Sequence, residues 1–341
     1  MGGSPGSSDG INARKVIELR WDPTLSEWVM VSNVRESRPW RPGGRLRCPF
    51  CPESPEVKGR SGAPFLLENR FPMLVPDPPP IDGVGEYPLV KAPGRGRCYV
   101  LVESLEHDLP DLSSVGVEGV AKVIEEVADL TRRAWGEGYA YVLWFRNRGE
   151  EVGVSLTHPH SQVYVTPFVP SKVLRELTSA WRYFKRFGEC LFCRVLKEEL
   201  RGGERVVLRG GGFTAFVPFY AHWPFETHIY PERHVQLLTQ LSGGEVRGLA
   251  EALVKVLKAM DNVFGRPMPY VLVTHQAPLR GEYPHYHLHI ELYGMLRASG
   301  RLKYAAGMEQ GGGNFTYDST PEEAAETLRK ALRGVEGRER R

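Results

Sequence analysis

The feature that most constrains this chain is a set of metal-ligating residue types that occurs twice in the same order. The first copy runs Cys48-Pro49-Phe50-Cys51, then His107, then His158-Pro159-His160. The second runs Cys190-Leu191-Phe192-Cys193, then His234, then His285-Tyr286-His287. His107 to His158 is 51 residues, and His234 to His285 is 51 again. Type, order and spacing rarely recur together by chance, so the pattern reads as an internal duplication. Each half is expected to close one tetrahedral Cys2His2 zinc site. The ligands are Cys48, Cys51, His107 and His158 in the first half, and Cys190, Cys193, His234 and His285 in the second. Four protein ligands leave no open position, so two structural Zn2+ ions per chain are expected. His275 is an alternative to His234; the repeated spacing favours His234.

Bulk properties exclude several classes. A net charge of +3 over 341 residues gives no basic surface for nucleic acid. No apolar run approaches the roughly 18 residues a membrane helix needs. Residues 1–10 form a polar Gly/Ser tail, expected to be disordered, with no signal-like apolar stretch. Of five cysteines, four fall in the two Cys-x-x-Cys pairs, which suits metal binding in a reducing cytoplasm better than a disulfide framework. Cys98 is left as a strand residue of the core.

The chain divides near Pro167–Pro170, giving an N-terminal half over 11–170 and a C-terminal half over 171–341. Pro76 to Gly96 is too rich in Pro and Gly for regular structure and reads as a long loop. Both halves show one progression. Strands come first (27–32 and 98–103; 214–218 and 226–230), then the ligand His in a turn. A helix of 3.6-residue apolar period follows, Val117–Trp135 in one half and Gly244–Phe264 in the other. Strands close each unit: 140–146 with 154–166, matched by 270–274 with 285–293. Further helices are expected over Ser171–Phe187 and Pro321–Gly334. The fold class is α+β: two tandem halves, each an antiparallel sheet with helices, joined as an intramolecular pseudo-dimer.

The chemistry concentrates at His158-Pro159-His160-Ser161-Gln162. In an extended segment His158, His160 and Gln162 share one face. With His158 tethered to metal, His160 is presented in a fixed attitude as a nucleophile toward phosphorus. Gln162 can donate an amide hydrogen to a phosphoryl oxygen. The rival nucleophile is His287, since His285, His287 and His289 also alternate. His160 is preferred because Gln162 and the Asn147–Ser155 loop have no evident counterpart near His287. His287 and His289 then read as a decayed duplicate, and His222 and His228 have no assigned role.

From Ile17 to Arg333 the chain resembles the galactose-1-phosphate uridylyltransferase family of the histidine-triad superfamily, which gives the two halves a histidine-triad-like fold. The resemblance rests on Arg35-Glu36-Ser37-Arg38-Pro39-Trp40, Asn69-Arg70-Phe71-Pro72, Asn147-Arg148-Gly149 through Gly153-Val154-Ser155, the His158–Gln162 string, Trp223–Thr227, and Lys303-Tyr304 with Gly307-Met308-Glu309. It implies that His160 is the nucleophile, assisted by Gln162 and Ser155, that Arg35 and Arg38 meet the phosphates, and that Asn147 and Gly153 bind substrate. It implies nucleoside contacts from Asn69, Arg70 and Phe71. Lys303, Tyr304, Glu309 and Asn314 would contact hexose phosphate in the neighbouring subunit of a homodimer. The implied reaction moves UMP from UDP-glucose to galactose 1-phosphate, giving UDP-galactose. Arg70 replaces the usual Asp, Met308 a Tyr, and Asn314 a Gln. The second Cys-x-x-Cys stands where better-known members have a Glu/His iron-type site, as in the plant ADP-glucose phosphorylase relatives. An ADP-sugar phosphorylase or adenylyltransferase is therefore the alternative within the superfamily, and a non-catalytic zinc scaffold that binds nucleotides the alternative outside it.

Overall fold

The computed structural model describes residues 15–37, 48–154 and 156–339; the tail of residues 1–10, Arg38 and Ser155 lie outside them. A small antiparallel sheet comes first, formed by β1 (Ile17–Asp22), β2 (Glu27–Ser32) and β4 (Lys91–Pro93) in the order β2-β1-β4. Its third strand lies in the stretch expected to be loop: Pro93 needs no ladder donor at the sheet edge, and Leu19 pairs with Ala92.

The main sheet takes four strands from the first half: β3 (Phe65–Glu68), β5 (Arg97–Val102), β6 (Tyr141–Arg148) and β7 (His160–Thr166). Five come from the second: β8 (Val206–Gly210), β9 (Phe213–Phe216), β10 (Thr227–Pro231), β11 (Tyr270–His275) and β12 (His289–Gly294). Their order is β3-β5-β7-β6-β11-β12-β10-β9-β8. The run β5-β7-β6 is thus mirrored by β10-β12-β11. The two expected sheets are fused edge to edge into one of nine strands through β6 and β11, with Leu272 opposite Arg146 and Val273 opposite Phe145. Both strands are apolar and largely buried (Tyr141-Val142-Leu143-Trp144; Tyr270-Val271-Leu272-Val273), so an unpaired edge on either would strand backbone donors in the core.

Alternation along the strands divides the interior in two. Val142, Trp144, Ala215 and Ile229 face one core, filled by α1 (Gly116–Gly136) and α4 (Gly243–Val263), with α5 (Pro321–Glu339) against α4. Tyr141, Phe216 and Tyr230 face the other, covered by α2 (Ser171–Phe187) and α3 (Leu191–Gly202). Cys98 is buried in a satellite cluster with Leu19, Leu74 and Tyr164. Helix α5 runs past the expected Gly334 to Glu339 and α3 was not expected, whereas the bounds of α1, α2 and α4 follow the apolar period closely. The closing strands do not: both begin later than their apolar pattern suggests, at His160 and His289. Pro159 lacks an N–H, and the residues before each strand form the turn that carries a metal ligand.

Helix α4 starts at a capping box. Ser242 Oγ accepts from the Glu245 amide (3.3 Å), and Glu245 Oε2 accepts from the Ser242 amide (2.8 Å). The Arg233 guanidinium, followed by the Ser242 backbone amide, lowers the Glu245 carboxyl to about 2. Because the folded-state value is depressed, this contribution is present above the ordinary carboxylate range and fades as pH falls toward about 2. Ser242→Ala is expected to cost about 1 kcal/mol in urea unfolding at neutral pH. In Glu245→Gln the drop in stability between pH 7 and pH 3 should be shallower than in wild type.

Candidate active site and metal centres

In the first half Cys48, Cys51, His107 and His158 gather their ligand atoms within 4.8 Å of one another. Cys51 Sγ lies 3.2 Å from His107 Nδ1 and 3.7 Å from His158 Nδ1. His158 Nε2 donates to the Ser104 carbonyl at 2.8 Å, which leaves Nδ1 as the ligating lone pair. Burial, followed by the neighbouring His107, lowers the His158 pKa and favours the neutral, ligating form. Two thiols and two imidazoles, that of His158 with its tautomer fixed, fit zinc, a soft-to-borderline ion bound tetrahedrally by S and N.

Two residues on, His160 Nδ1 donates to the carbonyl of His158 at 2.7 Å. A carbonyl can only accept, so the proton is on Nδ1 and the lone pair on Nε2. The Phe50 ring, inside the first Cys pair, packs 5.1 Å from the His160 ring. His160 lines a cavity of about 350 Å³ together with Arg35, Phe145, Asn147, Gly153, Gln162 and Tyr164. A second cavity of about 430 Å³ is also lined by His160, with Asn147, Arg146 and Arg148. The imidazole therefore borders two spaces, one also lined by Arg35 and Gln162.

The second half repeats this arrangement with one change from the expected ligands. Its cluster is Cys190, Cys193, His234 and His287, not His285. Cys193 Sγ lies 3.2 Å from both His234 Nδ1 and His287 Nδ1, and His287 Nε2 donates to the Pro231 carbonyl at 3.0 Å. His285 instead packs its ring against Trp181 and Tyr283, while its carbonyl lies 3.3 Å from Cys190 Sγ. The equal 51-residue step misleads because the connector from α4 to β11 (264–269) is two residues longer than that from α1 to β6 (137–140). Its extra length moves the ligand from position 285 to 287. A metal held at this cluster would take both Cys190 and Cys193 as thiolates.

A shift of 129 residues carries His158, His160, Gln162 and Tyr164 onto His287, His289, Glu291 and Tyr293. The correspondence holds in detail: His289 Nδ1 donates to the His287 carbonyl at 2.9 Å, and Phe192 lies 5.0 Å from the His289 ring as Phe50 does from His160. Yet position 291 is a carboxylate where position 162 is an amide. Glu176, His275, His289 and Glu291 form a third cluster with ligand atoms within 4.8 Å, and His275 Nδ1 stands 3.0 Å from Glu176 Oε1. Two imidazoles and two carboxylates suit a divalent transition metal. A Glu/His site is therefore present in addition to the second Cys pair rather than replaced by it. Its signal in the sequence was Glu291 standing where the first half has Gln162. His228 is also accounted for, bridging Glu226 (2.8 Å) and Glu291 (3.4 Å).

Residues 10–170 match the model of the galactose-1-phosphate uridyl transferase N-terminal domain, and residues 176–340 that of its C-terminal domain. The chain belongs to this family. It is 36% identical over 318 residues to the galactose-1-phosphate uridylyltransferase of Thermotoga maritima, covering 92% of this chain and 98% of that one. It is 34% identical to the Haemophilus influenzae protein of the same name over 340 residues, covering 94% and 96%. A solved structure described as uridylyltransferase superposes with TM-score 0.86 at 45% identity, covering 93% of this chain and 99% of that one. An ADP-glucose phosphorylase from Arabidopsis thaliana shares the fold, with TM-score 0.69 at 24% identity over 92% of this chain and 98% of that one. This member of the uridylyltransferase family is accordingly a transferase.

The other site residues expected from the family resemblance fall into two groups. Arg35, Asn147, Gly153, His160 and Gln162 come together around the first cavity. Asn69, Arg70 and Phe71 do not line it: Asn69 Oδ1 caps the Phe71 amide at 2.9 Å, and Arg70 pairs with Glu56 at the surface. Lys303, Tyr304, Glu309 and Asn314 also lie away from it. Lys303 donates to the Thr316 carbonyl, Glu309 accepts from the Ala306 and Thr316 amides, and Tyr304 is 74% exposed. Tyr164 and Phe145 are cavity residues that sequence reasoning missed; Tyr164 continues the alternating face of His160 and Gln162. Among the described residues no helix is long and apolar enough to cross a membrane.

The ligand reassignment makes a direct prediction. His287→Ala should lower bound metal by about one equivalent per chain, whereas His285→Ala should retain the wild-type content in elemental analysis of purified protein.

Proposed function

We propose that this transferase moves UMP between UDP-glucose and galactose 1-phosphate by double displacement at His160, with two structural zinc ions per chain. The observation that carries the reading is the His160 Nδ1 donation to the His158 carbonyl beside the Arg35 and Gln162 cavity. It aims a neutral lone pair on Nε2 at a space furnished for a phosphoryl group. Bound zinc would supply rigidity, tethering the turn at His158 through Cys48, Cys51, His107 and His158. In the first step Nε2 attacks the α-phosphorus of UDP-glucose, a P–N bond forms, and the bond to the bridging oxygen breaks. Glucose 1-phosphate leaves with that electron pair. The Nδ1–H bond to the His158 carbonyl stabilises the positive charge that develops on the ring. Gln162 donates to a non-bridging oxygen, and Arg35 offsets phosphate charge. Galactose 1-phosphate then attacks from its phosphate oxygen and restores the imidazole.

Arg38 and Ser155 are assigned to phosphate binding and catalysis, and Asn69, Arg70 and Phe71 to the nucleoside, on family resemblance. The division into halves near residue 170 belongs to the same reading. So does a homodimer: Lys303, Tyr304, Glu309 and Asn314 lie away from the His160 cavity and would serve the site of a second copy. Cytoplasmic placement is supported by the commitment of four of five cysteines to clusters that need thiolates.

Incubation with UDP-glucose labelled in the uridylyl group should leave about one adduct per chain on His160 and release glucose 1-phosphate. His160→Ala should take no label while keeping its metal; labelling that survives this substitution would end the assignment. Gln162→Ala should slow adduct formation on the order of 100-fold.

A further inference from the structure

Within the transfer cavity one contact has no assigned purpose. Arg35 Nη1 donates to the hydroxyl of Tyr164 at 3.4 Å. Tyr164 stands on β7 two residues beyond Gln162 and four beyond His160, on the same face, so all three side chains and Arg35 share one wall. Its ring is held edge-on by Phe145 (5.1 Å between centroids, 76° between planes). It packs in the satellite core with Leu19 and Leu74 and is 8% exposed. On the neighbouring strand Cys98 stands directly opposite, and its thiol hydrogen-bonds with the phenol. The phenol is thus pinned on three sides at the cavity wall.

Arg35 comes from a different part of the molecule. It lies on the short 3-10 turn Asn33–Ser37 that leaves β2 of the small sheet. The start of that turn is fastened by the Val16 amide to Asn33 Oδ1 (2.9 Å) and by Ser32 Oγ to the Pro72 carbonyl (2.9 Å). The guanidinium then crosses to the main sheet on a long, flexible stem.

The second half supplies an internal comparison. Tyr293, the counterpart of Tyr164, also receives a cation: Lys172 Nζ donates to its hydroxyl at 2.6 Å and lies over its ring. There the carboxylate of Glu291 pairs with the same ammonium at 2.5 Å and neutralises it. In the first half the position of Glu291 is the uncharged Gln162. The cation on Tyr164 therefore keeps its charge for a ligand.

We propose that Tyr164 is a positioning residue for the transfer reaction: its hydroxyl orients Arg35 toward the phosphates of the nucleotide sugar without cancelling its charge. A carboxylate at this point would hold the guanidinium more tightly but compete with the phosphate. A phenol fixes direction and leaves the electrostatic attraction intact. The inference rests on the reading that Arg35 meets phosphate and His160 takes the uridylyl group.

The test is a double-mutant cycle on Tyr164→Phe and Arg35→Ala, with adduct formation from UDP-glucose in single turnover as the readout. Tyr164→Phe keeps the ring packing, so its melting temperature should match wild type. Its half-saturating UDP-glucose concentration should rise about 3–10-fold, the worth of one hydrogen bond. In the Arg35→Ala background the same substitution should have no further effect. An equal penalty in both backgrounds, or no penalty in either, overturns the inference while leaving the transfer reading standing. Wild-type affinity in Arg35→Ala overturns the phosphate role of Arg35 and this inference together.

Discussion

The site depends on a pair of hydrogen bonds to main-chain carbonyls. His158 gives its Nε2 proton to Ser104, and His160 gives its Nδ1 proton to His158. The first turns Nδ1 of His158 toward the cysteines; the second leaves the lone pair of His160 on Nε2 in a residue that lines the cavity. Each ring has two nitrogens and one proton in its neutral form, so a single acceptor decides which atom keeps the lone pair. The two decisions are linked, because the second acceptor belongs to the residue that the first immobilises. The metal-ligand cluster and the orientation of the proposed nucleophile are in this way one local structure.

The same device is present in the second half, among different neighbours. His287 and His289 reproduce both bonds, and Phe192 reproduces the packing of Phe50. What differs is the residue two positions further on. An amide at 162 can donate to phosphate; a carboxylate at 291 repels it and attracts cations. Lys172 occupies that neighbourhood, and Glu176 and His275 complete a set of metal-ligand types. One side-chain exchange therefore changes the sign of the charge each floor accepts, while backbone and aromatic support remain alike.

Much of this was legible in the sequence. The duplication, the first metal site, both long helices and the string His158–Gln162 follow from spacing and residue type alone, and each corresponds to a local structure with its own chemistry. What was not legible depends on distances across the fold. The His285 assignment failed because counting between two ligands passes through a connector whose length is not fixed by either. Counting along β12 from its own pattern leads instead to His287. The Glu/His cluster was hidden because its members come from α2, β11 and β12, with no common spacing. The fusion of the two sheets was hidden as well, since apolar runs such as Tyr141–Trp144 show that a strand is interior but not which strand lies beside it.

Fusion of the sheets has a mechanical consequence. Only β3 and β8 lie at the margins of the nine-stranded sheet, so β7 and β12 are each hydrogen-bonded on both sides. Strands at a margin fray and slide; interior ones open only when much of the domain does. His160 and His289 each begin such a strand, against β5 and β11 respectively. The ring proposed as nucleophile is thus carried at the start of an interior strand, and adjustment on substrate exchange is expected in the walls around it rather than in the sheet.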